Sequence, residues 1–247
     1  MRRYKNYIFD LYGTLIDIHT DEEQMSLWKT LATFYSHYGV DYTQWELRNA
    51  YKRTVKEEEK RLMKNKVIDY PEINLETVFI RLLKEGPKGH PTTRLVQDDK
   101  EWACAVANIF RIESYKKIKV YKNAEKVLSS LKVRGSKLYL LSNAQRSFSV
   151  PELEVTGLAR FFEATYISSD AGIKKPDPQF LEMLLSAEGL DKSESVMVGN
   201  DLDSDMKMAG DCRMDGILIN TFPYSAAELQ KKNVYNFPVI RDLKELL

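Results

Sequence analysis

Cysteine, histidine and net charge are all scarce in this sequence of 247 residues. The two cysteines, Cys104 and Cys212, stand far apart, so they suit neither a disulfide framework nor a cysteine metal site, and they fit a reducing compartment. The histidines, His19, His37 and His90, are equally scattered, which argues against a zinc site. A formal net charge of +1 gives no overall field that would recruit nucleic acid or an anionic membrane.

Long apolar runs are lacking as well, and none approaches the length needed to span a membrane. The chain opens directly into its first predicted strand, which leaves no room for a signal peptide. We therefore expect a cytoplasmic protein without a membrane partner. Hydrophobic residues make up 43% and charged residues 30%, the usual balance of a globular protein with one large or two modest domains.

The most informative local pattern lies near the amino terminus. Tyr7 to Phe9 is a short apolar run that predicts a buried strand of a parallel sheet. Asp10 follows directly, at the carboxyl end of that strand, which is the edge where open α/β sheets bind ligands. Gly13 permits a sharp turn, and Thr14 returns a hydroxyl toward the same edge. The pattern predicts a carboxylate held on a rigid support.

The next hundred residues have the spacing of helices. No strand and no internal repeat is predicted there. The apolar periodicity and the capping residues Thr43 and Asn74 predict four helices with a loop before the last one. In order, these are 22–38, 43–64, 75–85, the loop Pro87–Thr93, and 98–113.

After Tyr121 the pattern alternates between strands and helices. Predicted strands are 137–141, 164–168, 195–198 and 216–220, and predicted helices are 124–133, 178–188 and 204–209. Such alternation favours an α/β fold with a doubly wound, Rossmann-like parallel sheet. We predict that residues 1–16 and 118–247 form this core and that residues 17–117 form an inserted all-α domain.

Four segments resemble, in order, the four motifs of the haloacid dehalogenase-like (HAD-like) hydrolases. The first of these motifs is Asp-x-x-Gly-Thr-Leu, the second a strand ending in Ser or Thr, the third a lysine before proline, and the fourth a strand followed by two acids. The matching segments are Asp10-Leu11-Tyr12-Gly13-Thr14-Leu15, Leu140-Leu141-Ser142, Lys175-Pro176 and Val198-Gly199-Asn200-Asp201-Leu202-Asp203-Ser204-Asp205. Each segment ends a predicted strand or follows one, and on this basis the sequence is identified as a member of that superfamily, with a helical cap after the first motif.

The resemblance implies a hydrolase in which Asp10 is the nucleophile and forms an aspartyl-phosphate. Asp10, Asp201 and Asp205 opposite Lys175 would leave a net charge of about −2, which calls for a cation. Mg²⁺ prefers such oxygen ligands. We expect it to bind Asp10, the backbone carbonyl of Tyr12 and Asp201, with Asp205 in support.

The remaining expected roles concern the phosphate of a small phosphorylated substrate. Lys175 would contact Asp10 and one phosphate oxygen, and Ser142 with the amides after it would hold another oxygen. Asn143 is a candidate for substrate binding, although a helix cap is its simpler interpretation. Asn200 is an alternative metal ligand if the loop is shifted by one residue. Thr14 and Tyr12 complete the predicted catalytic set.

Tyr12 departs from the phosphatase pattern. Phosphatases of the superfamily carry a second aspartate there that protonates the leaving alcohol, and a tyrosine with an ordinary pKa of about 10 is a poor substitute. The 2-haloacid dehalogenases of the superfamily carry tyrosine, and halide leaves without a proton. They lack the acidic fourth motif, however, and have a tyrosine where this chain has Leu181; Arg48 and Arg53 are candidates for their halide-binding arginine by region alone.

Three functions therefore stay open, in order of preference. The first is magnesium-dependent hydrolysis of a small phosphorylated metabolite. The second is metal-independent carbon–halogen hydrolysis, which Tyr12 favours. The third is a weakly catalytic or non-catalytic protein that binds a phosphorylated ligand. The acidic cluster of the fourth motif favours the first, and neither the substrate nor the oligomeric state follows from these residues.

Overall fold

The computed structural model describes residues 2–64, 68–89, 98–221 and 223–247. Its strands are β1 (Asn6–Phe9), β2 (Ile16–Thr20), β3 (Tyr115–Val120), β4 (Lys137–Ser142), β5 (Ala164–Ile167), β6 (Ser195–Gly199), β7 (Asp215–Ile219) and β8 (Val239–Ile240). Its helices are α1 (Met25–His37), α2 (Gln44–Met63), α3 (Leu75–Glu85), α4 (Asp99–Ser114), α5 (Ala124–Val133), α6 (Arg146–Val155), α7 (Ser168–Ala171), α8 (Pro178–Glu188), α9 (Lys207–Asp211) and α10 (Ala226–Lys232).

A six-stranded parallel sheet, in the order β5-β4-β1-β6-β7-β8, forms the centre of the described structure. The first strand of the chain lies inside this sheet, where Ile8 pairs with Tyr139 of β4 and with Met197 of β6. The predicted doubly wound α/β fold is confirmed. Its central position explains why β1 is buried throughout, because a strand with a neighbour on each side and helices on both faces has no solvent-facing side.

Alternate residues of β1 enter two different apolar layers. Tyr7 and Phe9 belong to a buried cluster that includes residues of α5 and α6. Ile8 points to the opposite face, into a cluster with residues of α8 and α9. Side chains alternate across a strand, so this one segment joins both layers of the core. Its residues are therefore packed on both faces of the sheet.

Helices α1 to α4 share a separate apolar cluster, in which Trp28, Tyr35, Phe79 and Phe110 are fully buried. The four predicted helices are all present, and the capping box that begins α2 is formed as predicted between Thr43 and Glu46. Of the predicted loop, residues 87–89 lie outside helices and strands, and residues 90–93 lie outside the described residues. The division of the chain into two domains at residues 17 and 117 stays a prediction.

The expectation that no strand interrupts the helical region was wrong at its two ends. There β2 and β3 form an antiparallel ribbon, in which Ile16 pairs with Val120 and Ile18 with Ile118. Each strand is short, and its partner lies about a hundred residues away in sequence, so no local signal marks the pairing. The ribbon carries the chain out of the sheet into α1 and back again from α4.

Across these same described ranges, no helix combines the length and the apolar character required to cross a bilayer.

Candidate active site

Polar residues from neighbouring strands meet at the carboxyl edge of the sheet. Asp10 follows β1, Ser142 ends β4 and Asn200 follows β6. Because β1 lies between β4 and β6, these residues occupy adjacent positions along the edge. Lys175 reaches the same place from the loop that precedes α8. The topology thus gathers all four segments that carry the sequence motifs.

Lys175 is the centre of the polar cluster. Its side-chain Nζ lies 2.6 Å from Oδ1 of Asp10 and 2.7 Å from Oδ1 of Asp205. It also donates a hydrogen bond of 2.9 Å to the carbonyl oxygen of Leu141. Lys175 is only 3% exposed. Burial alone would lower its pKa, but the two carboxylates outweigh that effect and raise the pKa, so the ammonium stays charged.

Asp205 stabilises the loop after β6 by hydrogen bonds to its main chain. Its carboxylate accepts hydrogen bonds of 3.1 Å from the backbone N–H groups of Asn200 and Asp201. Burial raises the pKa of Asp205, and the neighbouring Lys175 opposes that rise. Gly199 permits this arrangement, because a Cβ at that position would collide with the Asp205 carboxylate. Asp205 therefore holds both Lys175 and the loop after β6 in position.

The loop after β1 packs against the loop after β6. The Thr14 hydroxyl donates a hydrogen bond of 3.0 Å to Oδ2 of Asp10, so both oxygens of that carboxylate are held. Gly13 has φ +81°, a conformation that favours glycine, and a Cβ there would collide with the side chain of Asn200. Glycine is needed at this position for two independent reasons.

Ser142 and Asn143 have different surroundings. Ser142 is completely buried, and its hydroxyl has no hydrogen-bond partner among the residues that the structure describes. Asn143 uses both ends of its side-chain amide on the main chain of Lys175: Oδ1 accepts from its N–H and Nδ2 donates to its carbonyl. The interpretation of Asn143 as a helix cap was wrong, because α6 begins after Gln145. Asn143 instead holds the lysine segment in place.

Asp201 caps the turn that follows β6. Its Oδ1 accepts hydrogen bonds from the backbone N–H groups of Asp203 and Ser204, both at 2.7 Å. Asp203 points outward and pairs with Lys232. Within the described part of the chain, no three side chains of the His, Cys, Asp and Glu types are gathered closely enough to form a metal cluster. The metal role of Asp10, Tyr12, Asn200, Asp201 and Asp205 stays a prediction.

The Tyr12 side chain points into a buried ion pair. Its hydroxyl donates to the carboxylate of Glu152, which also accepts from the Tyr115 hydroxyl. Arg111 of α4 completes the group, with its Nε 2.7 Å from Oε1 of Glu152. The Arg111 guanidinium lies against the rings of Tyr12, Tyr115 and Phe148, 5.0 to 5.5 Å from each ring centroid. Burial, reinforced by negative Glu152, raises the pKa of Tyr12, so its hydroxyl stays protonated.

The sequence analysis did not single out Arg111 or Glu152. Glu152 is 4% exposed and falls on the buried face of α6, one turn after Phe148, so a charged residue within an apolar stripe was the available signal. The arginines named by region lie elsewhere: Arg48 pairs with Glu23, and Arg53 lines an exposed groove along α2.

Known proteins that resemble this chain belong to one family of hydrolases. The sequence profile of the haloacid dehalogenase-like hydrolases matches residues 4–212. The chain belongs to this family. It is therefore a hydrolase, and among its curated relatives are several phosphatases. The resemblance inferred from the four motifs is confirmed.

Two curated relatives and one solved structure illustrate the likeness. A phosphoserine phosphatase of Thermus thermophilus is 37% identical over 90 residues, which are 36% of each chain. A glyceraldehyde 3-phosphate phosphatase of Methanothermobacter thermautotrophicus is 28% identical over 130 residues, 52% of this chain and 58% of the relative. These matches span less than two thirds of the relatives' own length. A 2-haloacid dehalogenase structure from Pseudomonas syringae shares the fold at a TM-score of 0.67 and 19% identity, over 98% of this chain and 96% of the other.

Proposed function

We propose that this hydrolase is a magnesium-dependent phosphatase of a small phosphorylated metabolite and that Asp10 is its nucleophile. The observation that carries the proposal is the Asp10 carboxylate, held between Lys175 and Thr14, at the same sheet edge as Ser142, whose buried hydroxyl has no partner among the described residues. A nucleophile, a cation and a free hydroxyl at one sheet edge are the parts that phosphoryl transfer needs.

The Asp10 carboxylate is oriented before any substrate arrives. Thr14 holds one oxygen and Lys175 the other, so the carboxylate loses little further freedom when it attacks phosphorus. Attack forms an aspartyl-phosphate on Asp10, and water later hydrolyses it. Lys175 stays charged throughout and offsets the negative charge that the phosphoryl group brings.

Ser142 is the proposed phosphate ligand. A buried hydroxyl without a partner carries a cost of about 1–3 kcal/mol in desolvation, and a phosphate oxygen accepting its hydrogen bond would recover it. Asn143 supports the same function indirectly, because it fixes the main chain of Lys175 on the other side of the site. Direct substrate contact by Asn143 is then limited to its main chain.

The donor set at this edge suits magnesium. It consists of oxygen atoms: the Asp10 carboxylate, the Tyr12 carbonyl, and the side chains of Asn200 and Asp201. Asp10, Asp201 and Asp205 outnumber Lys175, and an added cation balances that excess of negative charge. When bound, the ion would polarise the phosphoryl group and reduce the charge repulsion between that group and the Asp10 carboxylate. Asp205 contributes by holding Lys175 and the loop after β6.

Helices α1 to α4 are proposed to act as a cap that excludes water and selects the substrate. The start of α3 and the segment before it contact the core close to the site. The N–H of Lys174 donates to the carbonyl of Tyr70, and the Gln145 side chain bonds the main chain of both Ile73 and Leu75.

Two free cysteines, one exposed and one buried, fit the proposed cytoplasmic location.

Carbon–halogen hydrolysis is the second candidate, because Tyr12 places no carboxylate two residues after Asp10. One observation weakens it. Leu181, which stands where the dehalogenases have a tyrosine, is completely buried in the core of α8. Leu181 has no hydroxyl to offer, so this polar group of the dehalogenases is missing here.

One experiment separates these functions. We expect the chain to hydrolyse an activated aryl phosphate with magnesium, and to lose that activity with EDTA and in Asp10→Asn. Asp203→Asn is the matched control, since Asp203 points to solvent and pairs with Lys232. Halide release from a 2-haloacid that is insensitive to EDTA would replace the proposal with dehalogenation. Magnesium-dependent binding of beryllofluoride without turnover of any phosphate would replace it with ligand binding.

A further inference from the structure

We propose that the site takes substrates whose leaving group departs as a stable anion, namely acyl phosphates and phosphoric anhydrides, and not phosphate esters of aliphatic alcohols. This inference rests on the proposed phosphatase function and narrows its substrate class. It is carried by the direction of the Tyr12 side chain and by the hydrogen bonds that occupy the other polar groups around Asp10.

The leaving group decides whether phosphoryl transfer needs an acid. When Asp10 attacks phosphorus, the bond from phosphorus to the leaving oxygen breaks and its electron pair stays on that oxygen. An aliphatic alcohol leaves as a strongly basic alkoxide, so it needs a proton in the transition state, and a positioned acid supplies about 10²- to 10⁴-fold in rate. A carboxylate or a phosphate leaves unaided because it is a weak base.

The hydroxyl of Tyr12 is turned away from this task. It donates a hydrogen bond to Glu152, and that carboxylate also accepts hydrogen bonds from Tyr115 and Arg111. The four residues come from the loop after β1, the ribbon strand β3, α4 and α6, so the Glu152 carboxylate that accepts from the Tyr12 hydroxyl is itself held by two further elements. Redirecting it toward Asp10 would leave a nine-tenths buried carboxylate with one partner fewer.

Three other polar side chains of the site are also engaged in hydrogen bonds or ion pairs. Lys175 uses its three N–H bonds on Asp10, Asp205 and the carbonyl of Leu141. Thr14 donates to Asp10. Asp201 accepts two backbone N–H groups as a cap. Among the described residues at this edge, these contacts hold the side chains of Lys175, Thr14 and Asp201, and the Ser142 hydroxyl is assigned to a phosphate oxygen, so no acid is positioned to protonate an alkoxide.

Hydrolysis of the aspartyl-phosphate, the second step, also proceeds without help from a side chain at position 12. Water attacks the phosphorus of the aspartyl-phosphate, the bond to Asp10 breaks with its electron pair returning to the carboxylate, and the phosphate released takes up the proton from water. A carboxylate base would speed this attack, and Tyr12 supplies none. The aspartyl-phosphate should consequently accumulate when its formation is fast.

The test is a series of aryl phosphates whose leaving groups differ in pKa, assayed with magnesium and the full chain. We expect kcat/KM to fall steeply with each unit of leaving-group pKa, as for departure without a proton. We expect kcat to be the same across the good leaving groups, because hydrolysis of the aspartyl-phosphate limits it. Acetyl phosphate should be hydrolysed and glycerol 1-phosphate should not.

Two variants sharpen the result. Tyr12→Phe should keep the steep slope, since the hydroxyl takes no part, whereas Tyr12→Asp should flatten the slope and admit glycerol 1-phosphate. Hydroxylamine should trap the phosphorylated chain by attacking the Asp10 acyl carbon and releasing phosphate, seen by mass spectrometry as one aspartyl hydroxamate on wild type and none on Asp10→Asn. If Tyr12→Asp does not fold, the wild-type slope and the trapped intermediate decide the question.

The outcomes test the proposed substrate class separately from the proposed phosphatase function. A shallow slope in wild type, or glycerol 1-phosphate turned over as well as acetyl phosphate, overturns the substrate class and leaves the phosphatase function standing. Absence of turnover with every phosphate, acetyl phosphate included, overturns both. A slope that steepens in Tyr12→Phe would show that the hydroxyl is an acid and would also overturn the inference.

Discussion

The ammonium nitrogen of Lys175 lies 2.6 Å from Oδ1 of Asp10, a residue 165 positions away in the chain. The same nitrogen lies 2.7 Å from Asp205, so one buried cation separates two buried carboxylates. At such distances in a poorly hydrated site, opposite charges attract strongly and like charges repel. The position of Lys175 therefore controls the orientation of the proposed nucleophile.

We expect Lys175→Met to lower kcat/KM for an activated aryl phosphate by about 10²- to 10³-fold, because it removes a positioned charge from the phosphoryl site. Stopped assays of initial rate measure the effect. Lys174→Met is the matched control, since Lys174 is partly exposed and lies 3.6 Å from Glu72, away from Asp10. A loss of similar size in Lys174→Met would contradict the assignment.

Magnesium should stabilise the folded protein as well as activate it. A ligand that binds the native state raises the melting temperature, by an amount that grows with its concentration over Kd. In thermal unfolding with increasing magnesium, we expect a rise for wild type and a smaller rise for Asp201→Asn. Asparagine preserves the capping hydrogen bonds of Asp201, so the comparison isolates its charge.

The control for that titration is Asp203→Asn, two residues further along and paired with Lys232 at the surface. It should respond to magnesium as wild type does. An unchanged response in Asp201→Asn would show that Asn200 or another oxygen carries the metal role.

Gly13→Ala should destabilise the protein more than Gly135→Ala. Both glycines have positive φ, +81° and +85°, so both substitutions carry a similar backbone strain. A Cβ at Gly135 meets nothing within 4 Å, whereas one at Gly13 collides with Asn200. The difference in the free energy of unfolding, measured in urea, should be about 1–3 kcal/mol. Equal losses would mean that the two loops do not pack as described.

Glu152→Ala should lower the free energy of unfolding by about 3–5 kcal/mol, because it leaves the mostly buried Arg111 guanidinium without its counter-ion. Urea unfolding followed by circular dichroism measures this. Glu125→Ala removes an exposed carboxylate that pairs with Arg160 and should cost at most about 1 kcal/mol. If the two variants are equally stable, the Glu152 cluster does not join the helices to the core.

Much of the fold could be predicted from local pattern. The apolar run before Asp10, the apolar run before Ser142 and the alternation after Tyr121 each predict a strand of a parallel sheet. Because the carboxyl ends of such strands share one edge, the motif residues could be placed together before any distance was known. The ribbon of β2 and β3 could not, since each strand depends on a partner about a hundred residues away.

The identity of the nucleophile candidate, the family and the order of the core elements follow from residue types and spacing along the chain. The direction of the Tyr12 hydroxyl does not. It depends on Glu152, Arg111 and Tyr115, which come from three other elements and meet Tyr12 only after the helices have packed on the core. Periodicity and turn chemistry act over a few residues, whereas the partner of a buried polar group is chosen by packing across the whole chain.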